Sequence, residues 1–453
     1  MASKNSGWIV NSLQRIRPNW MRPVPGAPKI GLYHFERRKP EERTRIHLRV
    51  DPDGSGLLWV NASRVMHLNP TAAAMAYFHL TELPTPQVIS YLQHAYHVDQ
   101  ATASSDYAQF ASQLEELIRP DGMCPIHDLD VQVVAPFSAR PSAPHRMDLA
   151  LTYRCNNDCA HCYNDRPRNY PEMSTGEWKQ ILDRLWEIGI PHVVFTGGEP
   201  TLRNDLPELI RHAEHNGQIT GLNTNGRRLS DPDYVSQLVE AGLDHVQITV
   251  ESHIPAVHNQ IVRAAGAYKQ TIAGVRNALD SPLFVMTNTT LLENNYPYLQ
   301  STLEMLSSLG VPTIGLNALI HSGLGRTVGT GLAEKDLDPL LDLARRHTDE
   351  HNQRLIWYTP TQYCHFDPMQ LELGVKGCTA ALYNMCIEPD GAVLPCQSYY
   401  QSLGHILTDA WESIWNHDIS IYLRERKYVP EKCGSCALLA ECGGGCPLKP
   451  GLN

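Results

Sequence analysis

The chain has 453 residues, 42% of them hydrophobic and 19% charged, and carries a net charge of −10. This is the composition of folded domains with apolar material for two to four cores, and it excludes a disordered chain. The acidic balance gives no global electrostatic reason to bind nucleic acid or an anionic membrane, and no apolar run approaches the roughly twenty residues of a membrane span.

Residues 1–29 read as an amino-terminal extension. They carry Lys4, Arg15, Arg17 and Arg22, but Pro and polar residues break every apolar run, so neither a signal peptide nor an anchor is legible. Twelve cysteines in a chain without an export signal are expected to stay reduced in the cytoplasm, and their short spacings point to metal rather than disulfides. Residues 30–125 read as a small domain. "RIHLRV" sets Ile46, Leu48 and Val50 on one face, "DPDG" supplies a turn and "LLWV" begins a return strand, which makes a hairpin. Helices follow: Asn69 caps and Pro70 takes the first helical position of "NPTAAAMAYFHL", and Thr85 and Pro86 repeat the device. A strand hairpin followed by helices suits a winged-helix-like domain. Residues 126–145, ending in "APFSARPSAPH", form a linker.

From 146 to 330 short apolar strands alternate with helices. "MDLALTY", "HVVFTG", "QITGLNT", "HVQITV", "LFVMTNTT" and "PTIGLNA" are six strand candidates, and "STGEWKQILDRLWEIG" opens with Ser174 and Glu177 in a capping box. The alternation predicts an α/β fold of parallel strands, and six units make an open, partial (β/α)6 TIM barrel with its chemistry at the carboxyl ends of the strands. Residues 331–359 read as a bridging helical segment, and 360–453 as a cysteine-rich domain.

"CNNDCAHC" follows the first strand directly. Cys155, Cys159 and Cys162 in one loop can converge on a metal centre while leaving a coordination position unfilled, whereas structural zinc takes four protein ligands. Buried cysteines acting as small hydrophobes would not have Asn156, Asn157, Asp158 and His161 among them. The second strand runs into "TGGEP", where Gly197 and Gly198 let a backbone approach a ligand and Glu199 offers a carboxylate to an ammonium group.

The C-x3-C-x2-C triad with GGEP one helix later resembles the radical S-adenosylmethionine (SAM) enzymes. The resemblance implies a 4Fe-4S cluster held by Cys155, Cys159 and Cys162, with SAM on its open iron and Glu199 on the methionine amine. One-electron reduction then yields a 5'-deoxyadenosyl radical that removes a hydrogen atom from substrate. It further implies contacts to SAM from Asn223 in "LNTNG", from Ser252 in "TVES" and from Tyr163 beside the last cysteine. Asn and Ser at strand ends equally serve as caps for the next helix. No residue is assigned as the catalytic base.

The carboxyl-terminal spacing C-x2-C-x5-C-x3-C in "CGSCALLAECGGGC" resembles the SPASM extension of radical enzymes that modify peptides. "EPDG" marks a hairpin that brings Cys386 and Cys396 together. The family arrangement implies one auxiliary cluster on Cys378, Cys386, Cys396 and Cys446, and a second on Cys433, Cys436 and Cys442. A seventh downstream cysteine, usual in SPASM domains, is missing, so the second cluster keeps an open iron, takes Cys364 or a non-cysteine ligand, or is absent. A zinc ribbon is the competing use of such knuckles.

The amino-terminal domain resembles the PqqD-like recognition element that binds leader peptides as an added strand, with residues 44–62 expected to carry the edge. Together the resemblances imply a radical SAM/SPASM maturase acting on a ribosomally made precursor peptide bound by its leader, and reduced by a donor such as flavodoxin or ferredoxin. Two alternatives remain: radical chemistry on a cofactor precursor such as a tetrapyrrole, and a zinc-stapled nucleic-acid-binding regulator. The helix "TPQVISYLQHAYHVDQ" lacks the Lys and Arg that the last would need.

Overall fold

The computed structural model describes residues 11–12, 26–39, 42–61, 64–118 and 141–449. Cys124 and most of the predicted extension and linker lie outside the described residues. The chain divides into two units, residues 1–142 with 184–191, and residues 143–183 with 192–453.

The first unit is a five-stranded antiparallel meander: β1 (Asn11–Ser12), β2 (Gly31–Lys39), β3 (Glu42–Val50), β4 (Gly56–Val60) and β5 (Arg64–Leu68), paired in chain order. Helices Pro70–Leu80, Thr85–Tyr96 and Gln100–Ile118 follow. Phe35, Ile46, Leu48, Val50, Leu58 and Val60 pack with Ala73, Ala76, Leu80, Leu114 and Leu117. The alternate residues Leu32, Leu57 and Trp59 form a separate cluster with Trp186. Strands β3 and β4 are thus buried on both faces, whereas β5 is only partly buried.

The predicted hairpin is β3 and β4, joined through Asp51–Ser55, and Asn69 caps its helix by accepting a hydrogen bond from the Ala72 amide at 2.8 Å. Two expectations are corrected. Thr85 is the first helical residue, with Pro84 at the cap position and no side-chain cap. Residues 44–62 do not carry a free edge: β3 pairs with β2 and β4, and β4 with β3 and β5, so among the described residues the sheet's edges are β5 and, beyond its two-residue pairing with β1, β2.

The second unit contains all six predicted barrel strands: β6 (Arg146–Thr152), β7 (His192–Gly197), β8 (Ile219–Thr224), β9 (His245–Thr249), β10 (Phe284–Thr290) and β11 (Thr313–Asn317). Neighbours are parallel in chain order, with helices such as Leu206–Asn216 and Pro232–Ala241 as crossovers. Three more strands extend this sheet to nine: β12 (Arg354–Trp357) beyond β11, and β13 (Asn384–Ile387) with β14 (Val393–Leu394) beyond β6. The sheet ends at β12 and β14 and stays open, as a partial barrel does. The segment 331–359, expected to be helical, therefore holds helix Asp338–Glu350 and then a parallel strand. The cysteine-rich region likewise contributes strands to the barrel sheet. The capping box is formed, with the Ser174 amide and hydroxyl on Glu177 Oε2 at 2.8 and 2.7 Å. Among the described residues no helix is long and apolar enough to cross a membrane.

Candidate cluster and cofactor site

The loop carrying Cys155, Cys159 and Cys162 leaves the carboxyl end of β6, and its backbone is tied down along its length. The Asp158 and Ala160 amides donate to the Val262 and Ile261 carbonyls at 3.0 and 2.9 Å, and the Leu324 amide donates to the Cys162 carbonyl at 2.8 Å. Two arginines strap the loop from outside. Arg168 donates to the Cys155 and Asn157 carbonyls at 2.6 and 2.5 Å, and Arg227 donates to Asn157 Oδ1 at 2.9 Å and to the Asn156 carbonyl. The three thiols are thus presented by a fixed backbone, which lowers the ordering cost of binding any group among them.

Burial lifts all three thiols above their ordinary range, Cys155 to about 11. After burial, Cys155 is raised further by Glu199 and Cys162, and Cys159 by Cys162, Glu251 and Cys155. The sulfurs are close enough to oppose one another's ionisation, with a buried carboxylate beside each of two of them. A cationic iron centre reverses that repulsion and draws the thiolates in. The Asn157 amide already points at Cys155 Sγ from 3.4 Å, the kind of donor that suits a cluster-bound thiolate. The donor set fits an iron-sulfur cluster. Among the described residues no group of three or more His, Cys, Asp or Glu side chains is arranged to hold one metal ion, as a mononuclear zinc site needs. Cluster ligands bind separate irons and need not meet at one point.

Gly197 and Gly198 are required by the chain itself. A Cβ on Gly197 (φ +130°) would lie 2.2 Å from the Thr152 carbonyl oxygen, and one on Gly198 would lie 2.4 and 2.7 Å from those of Arg154 and Tyr153. The close approach read from the sequence is therefore to the segment entering the cysteine loop. The Gly198 and Glu199 amides donate to the Thr152 and Arg154 carbonyls at 2.7 and 2.9 Å, which locks the GGE turn to that segment. Glu199 is fully buried: Oε1 accepts from the Thr201 amide (3.1 Å), Thr201 Oγ1 (2.6 Å) and Thr224 Oγ1 (2.7 Å), and Oε2 from the Asn225 amide (2.8 Å). Burial raises its pKa while these four bonds lower it. Oε1 is saturated, and Oε2 keeps capacity for one further donor.

The remaining predicted contacts are spread around the same strand ends. Asn223 lies near the end of β8, and two residues on, Asn225 Nδ2 donates to Asn156 Oδ1 at 2.6 Å, joining that strand end to the cysteine loop. Ser252 is buried and accepts from the Ile254 amide at 3.1 Å, so it serves the turn before helix Pro255–Val262. Tyr163 donates to Gln397 Oε1 at 3.3 Å, and burial pushes its phenol pKa well up. His161 Nε2 stands 3.2 Å from Glu251 Oε1. Sequence reasoning missed the straps Arg168 and Arg227 and the group Tyr153, Arg166 and Glu388, in which the Arg166 guanidinium grips Glu388 at 2.7 and 2.8 Å and the Tyr153 hydroxyl donates to it at 3.1 Å. Only adjacency to a motif, Arg227 following "NTNG", offered a signal.

The hairpin predicted at "EPDG" is β13 and β14, with Cys386 opposite Leu394. Burial holds Cys378, Cys386, Cys396 and Cys446 above the ordinary thiol range, Cys396 at about 12; the charges of Cys446 and Cys396 raise Cys378 further, and those of Asp148 and then Cys396 raise Cys386. Cys433, Cys436 and Cys442 come from successive turns beside 3₁₀ segment Glu431–Cys433 and helix Leu439–Cys442.

A partial barrel with three thiols after its first strand and a GGE turn after its second defines a radical SAM enzyme, here with an iron-sulfur extension. Residues 149–306 match the Radical SAM superfamily, and residues 378–437 match SPASM, an iron-sulfur cluster-binding domain. The chain is a radical SAM/SPASM enzyme: its barrel takes a 4Fe-4S cluster and SAM, and its SPASM domain takes auxiliary iron-sulfur. When bound, the first cluster supplies one-electron reduction of SAM. Among curated relatives, the AdoMet-dependent heme synthase of Oleidesulfovibrio alaskensis is 27% identical over 65% of this chain and 80% of its own. That of Methanosarcina barkeri is 26% identical over 68% and 92%. Among solved structures, Streptococcus suis SuiB bound to its precursor peptide SuiA is similar at TM-score 0.66 and 16% identity, over 89% of this chain and 94% of SuiB. The enzyme anSMEcpe with bound AdoMet is similar at TM-score 0.55 and 17% identity, over 67% and 89%.

Proposed function

We propose that this enzyme modifies a ribosomally made peptide whose leader is captured by the first unit, acting as a PqqD-like recognition element. The observation that carries the reading is one of coverage. The likeness to SuiB extends over 89% of the chain, more than the second unit by itself provides, whereas that to anSMEcpe reaches 67%. The first unit therefore shares its fold with part of an enzyme whose structure is described with a precursor peptide. Its strand β5 lies at an edge of the sheet, where an added strand would pair, with Val65 40% exposed on it. On this reading Cys155, Cys159 and Cys162 hold the first cluster, and Gly197, Gly198, Glu199, Asn223, Ser252 and Tyr163 shape the SAM pocket. Cys378, Cys386, Cys396 and Cys446 hold the first auxiliary cluster, and a cytoplasmic flavodoxin or ferredoxin supplies electrons.

A second reading, a tetrapyrrole substrate, is favoured by the relatives named heme synthase, whose matches span about two thirds of this chain. One experiment separates the two. The reconstituted, reduced full-length enzyme is given SAM with either a peptide encoded beside its gene or an iron tetrapyrrole, and 5'-deoxyadenosine and the substrate mass are followed. The peptide reading expects substrate-dependent cleavage with the peptide, and weaker peptide binding in Val65→Glu. Turnover of the tetrapyrrole without peptide binding would overturn it.

A further inference from the structure

Cys433, Cys436 and Cys442 offer three thiols where a fully protein-ligated cluster needs four. Segment Thr361–Cys364 runs against this knuckle. The Tyr363 amide donates to Cys442 Sγ at 3.4 Å, and the same sulfur faces the Thr361 carbonyl at 3.6 Å. Gln362 Nε2 donates to the Gly444 carbonyl at 3.3 Å, and Gly445 packs so tightly that a Cβ there would lie 2.9 Å from Gln362 Cγ. Cys364 is thus one peptide unit, about 3.8 Å between Cα atoms, from a residue whose amide touches a knuckle sulfur. The next donor on the segment, His365, is engaged through Nδ1 by Glu334 at 2.6 Å, and that carboxylate also holds Lys449 at 2.6 Å.

We infer that Cys364 completes a second auxiliary cluster with Cys433, Cys436 and Cys442. The inference rests on the SPASM reading of this region. Each thiol gives its proton to solvent as its iron–sulfur bond forms, and no electron is exchanged. With four thiolates the cluster has no open iron, so it can carry electrons and cannot bind substrate. Cys364 and Cys436 are exposed, which places the cluster within reach of solvent and of a reductant.

The test uses the full chain purified anaerobically. Iodoacetamide labelling read by mass spectrometry compares Cys364 before and after the clusters are stripped with chelator. Protection of the exposed Cys364 in the holoenzyme, lost on stripping, is the expected result. Cys364 labelled at the free-thiol rate while Cys433 and Cys442 stay protected overturns the inference. In parallel, Cys364→Ala is expected to lower iron from about twelve per chain, the content of three four-iron clusters, by about one to four, and to change the electron paramagnetic resonance of one reduced cluster. Cys378→Ala is the control. Iron loss in Cys378→Ala with none in Cys364→Ala overturns the inference and spares the SPASM reading, whereas no loss in either variant overturns both.

Discussion

Arg166 and Glu388 form an asymmetric ion pair whose two halves should not cost the same to remove. The Glu388 carboxylate is fully buried and accepts two bonds from Arg166 and one from the Tyr153 hydroxyl, whereas the Arg166 side chain is 30% exposed. The guanidinium also lies over the rings of Tyr170 and Tyr400, 5.3 and 5.1 Å from their centroids. Arg166→Met leaves a buried carboxylate with a single phenol donor, and breaking a buried pair that way costs about 3–5 kcal/mol. Glu388→Gln leaves a cation that still reaches water and two aromatic faces, so its cost is that of lost charged hydrogen bonds, about 1.5–3 kcal/mol. Replacing both, as Arg166→Met with Glu388→Leu, removes the stranded charge and should be milder than Arg166→Met alone. The assay is native-state hydrogen exchange of the β13 amides in the full chain, which reads opening free energy locally and avoids treating a two-unit protein as two-state. An equal or larger loss in Glu388→Gln, or a double variant worse than Arg166→Met, refutes the argument that the charge left behind sets the cost.

Gly198→Ala forces a methyl against two backbone carbonyls, so we expect at least tenfold weaker SAM binding and a stability loss of about 1–3 kcal/mol; unchanged affinity in equilibrium dialysis would contradict the role given to the GGE turn. Cys159→Ala should abolish SAM cleavage and remove about four irons, whereas Cys433→Ala should leave measurable cleavage; chromatography of 5'-deoxyadenosine decides. Glu115 gives a pH signature in the first unit: hydrogen bonds from Arg37, then His79, outweigh burial and bring its pKa from 4.5 to about 2. A carboxylate depressed in the folded state stabilises fully above about pH 4.5, and that contribution is lost as pH falls toward 2. The gap between wild type and Glu115→Gln in exchange protection of helix Gln100–Ile118 should therefore close over that window. Because the carboxylate is 38% exposed, the gap at neutral pH should not exceed about 1 kcal/mol.

The barrel was legible because each of its first six strands is a short apolar run followed by helix punctuation, with a polar or glycine-rich motif at its carboxyl end. β12 was not, since "RLIW" is only four residues and follows an amphipathic helix directly. β2 of the first unit escaped because "GLYHFERRK" buries His34 and Glu36, residue types that usually mark a solvent face, and β5 because "RVMHL" is five residues and only partly buried. The cysteine loop and the GGE turn were legible from residue type and spacing. What holds them was not: Arg168 reaches the loop over ten or more residues and Arg227 from another strand end, so neither has a spacing signature.

The ladder between β6 and β13 sets Cys386 opposite Asp148, four residues before β6 ends and the cysteine loop begins. At a strand rise of roughly 3.3 Å per residue, that span is about 13 Å of rigid rungs. A proposed ligand of one centre and the stalk of the loop proposed to hold the other are thus graduated on a single ruler. A hinge cannot stretch the gap, and a one-residue slip would turn Cys386 to the opposite face of the sheet. Whatever current flows between the two centres crosses a distance fixed when the chain folds.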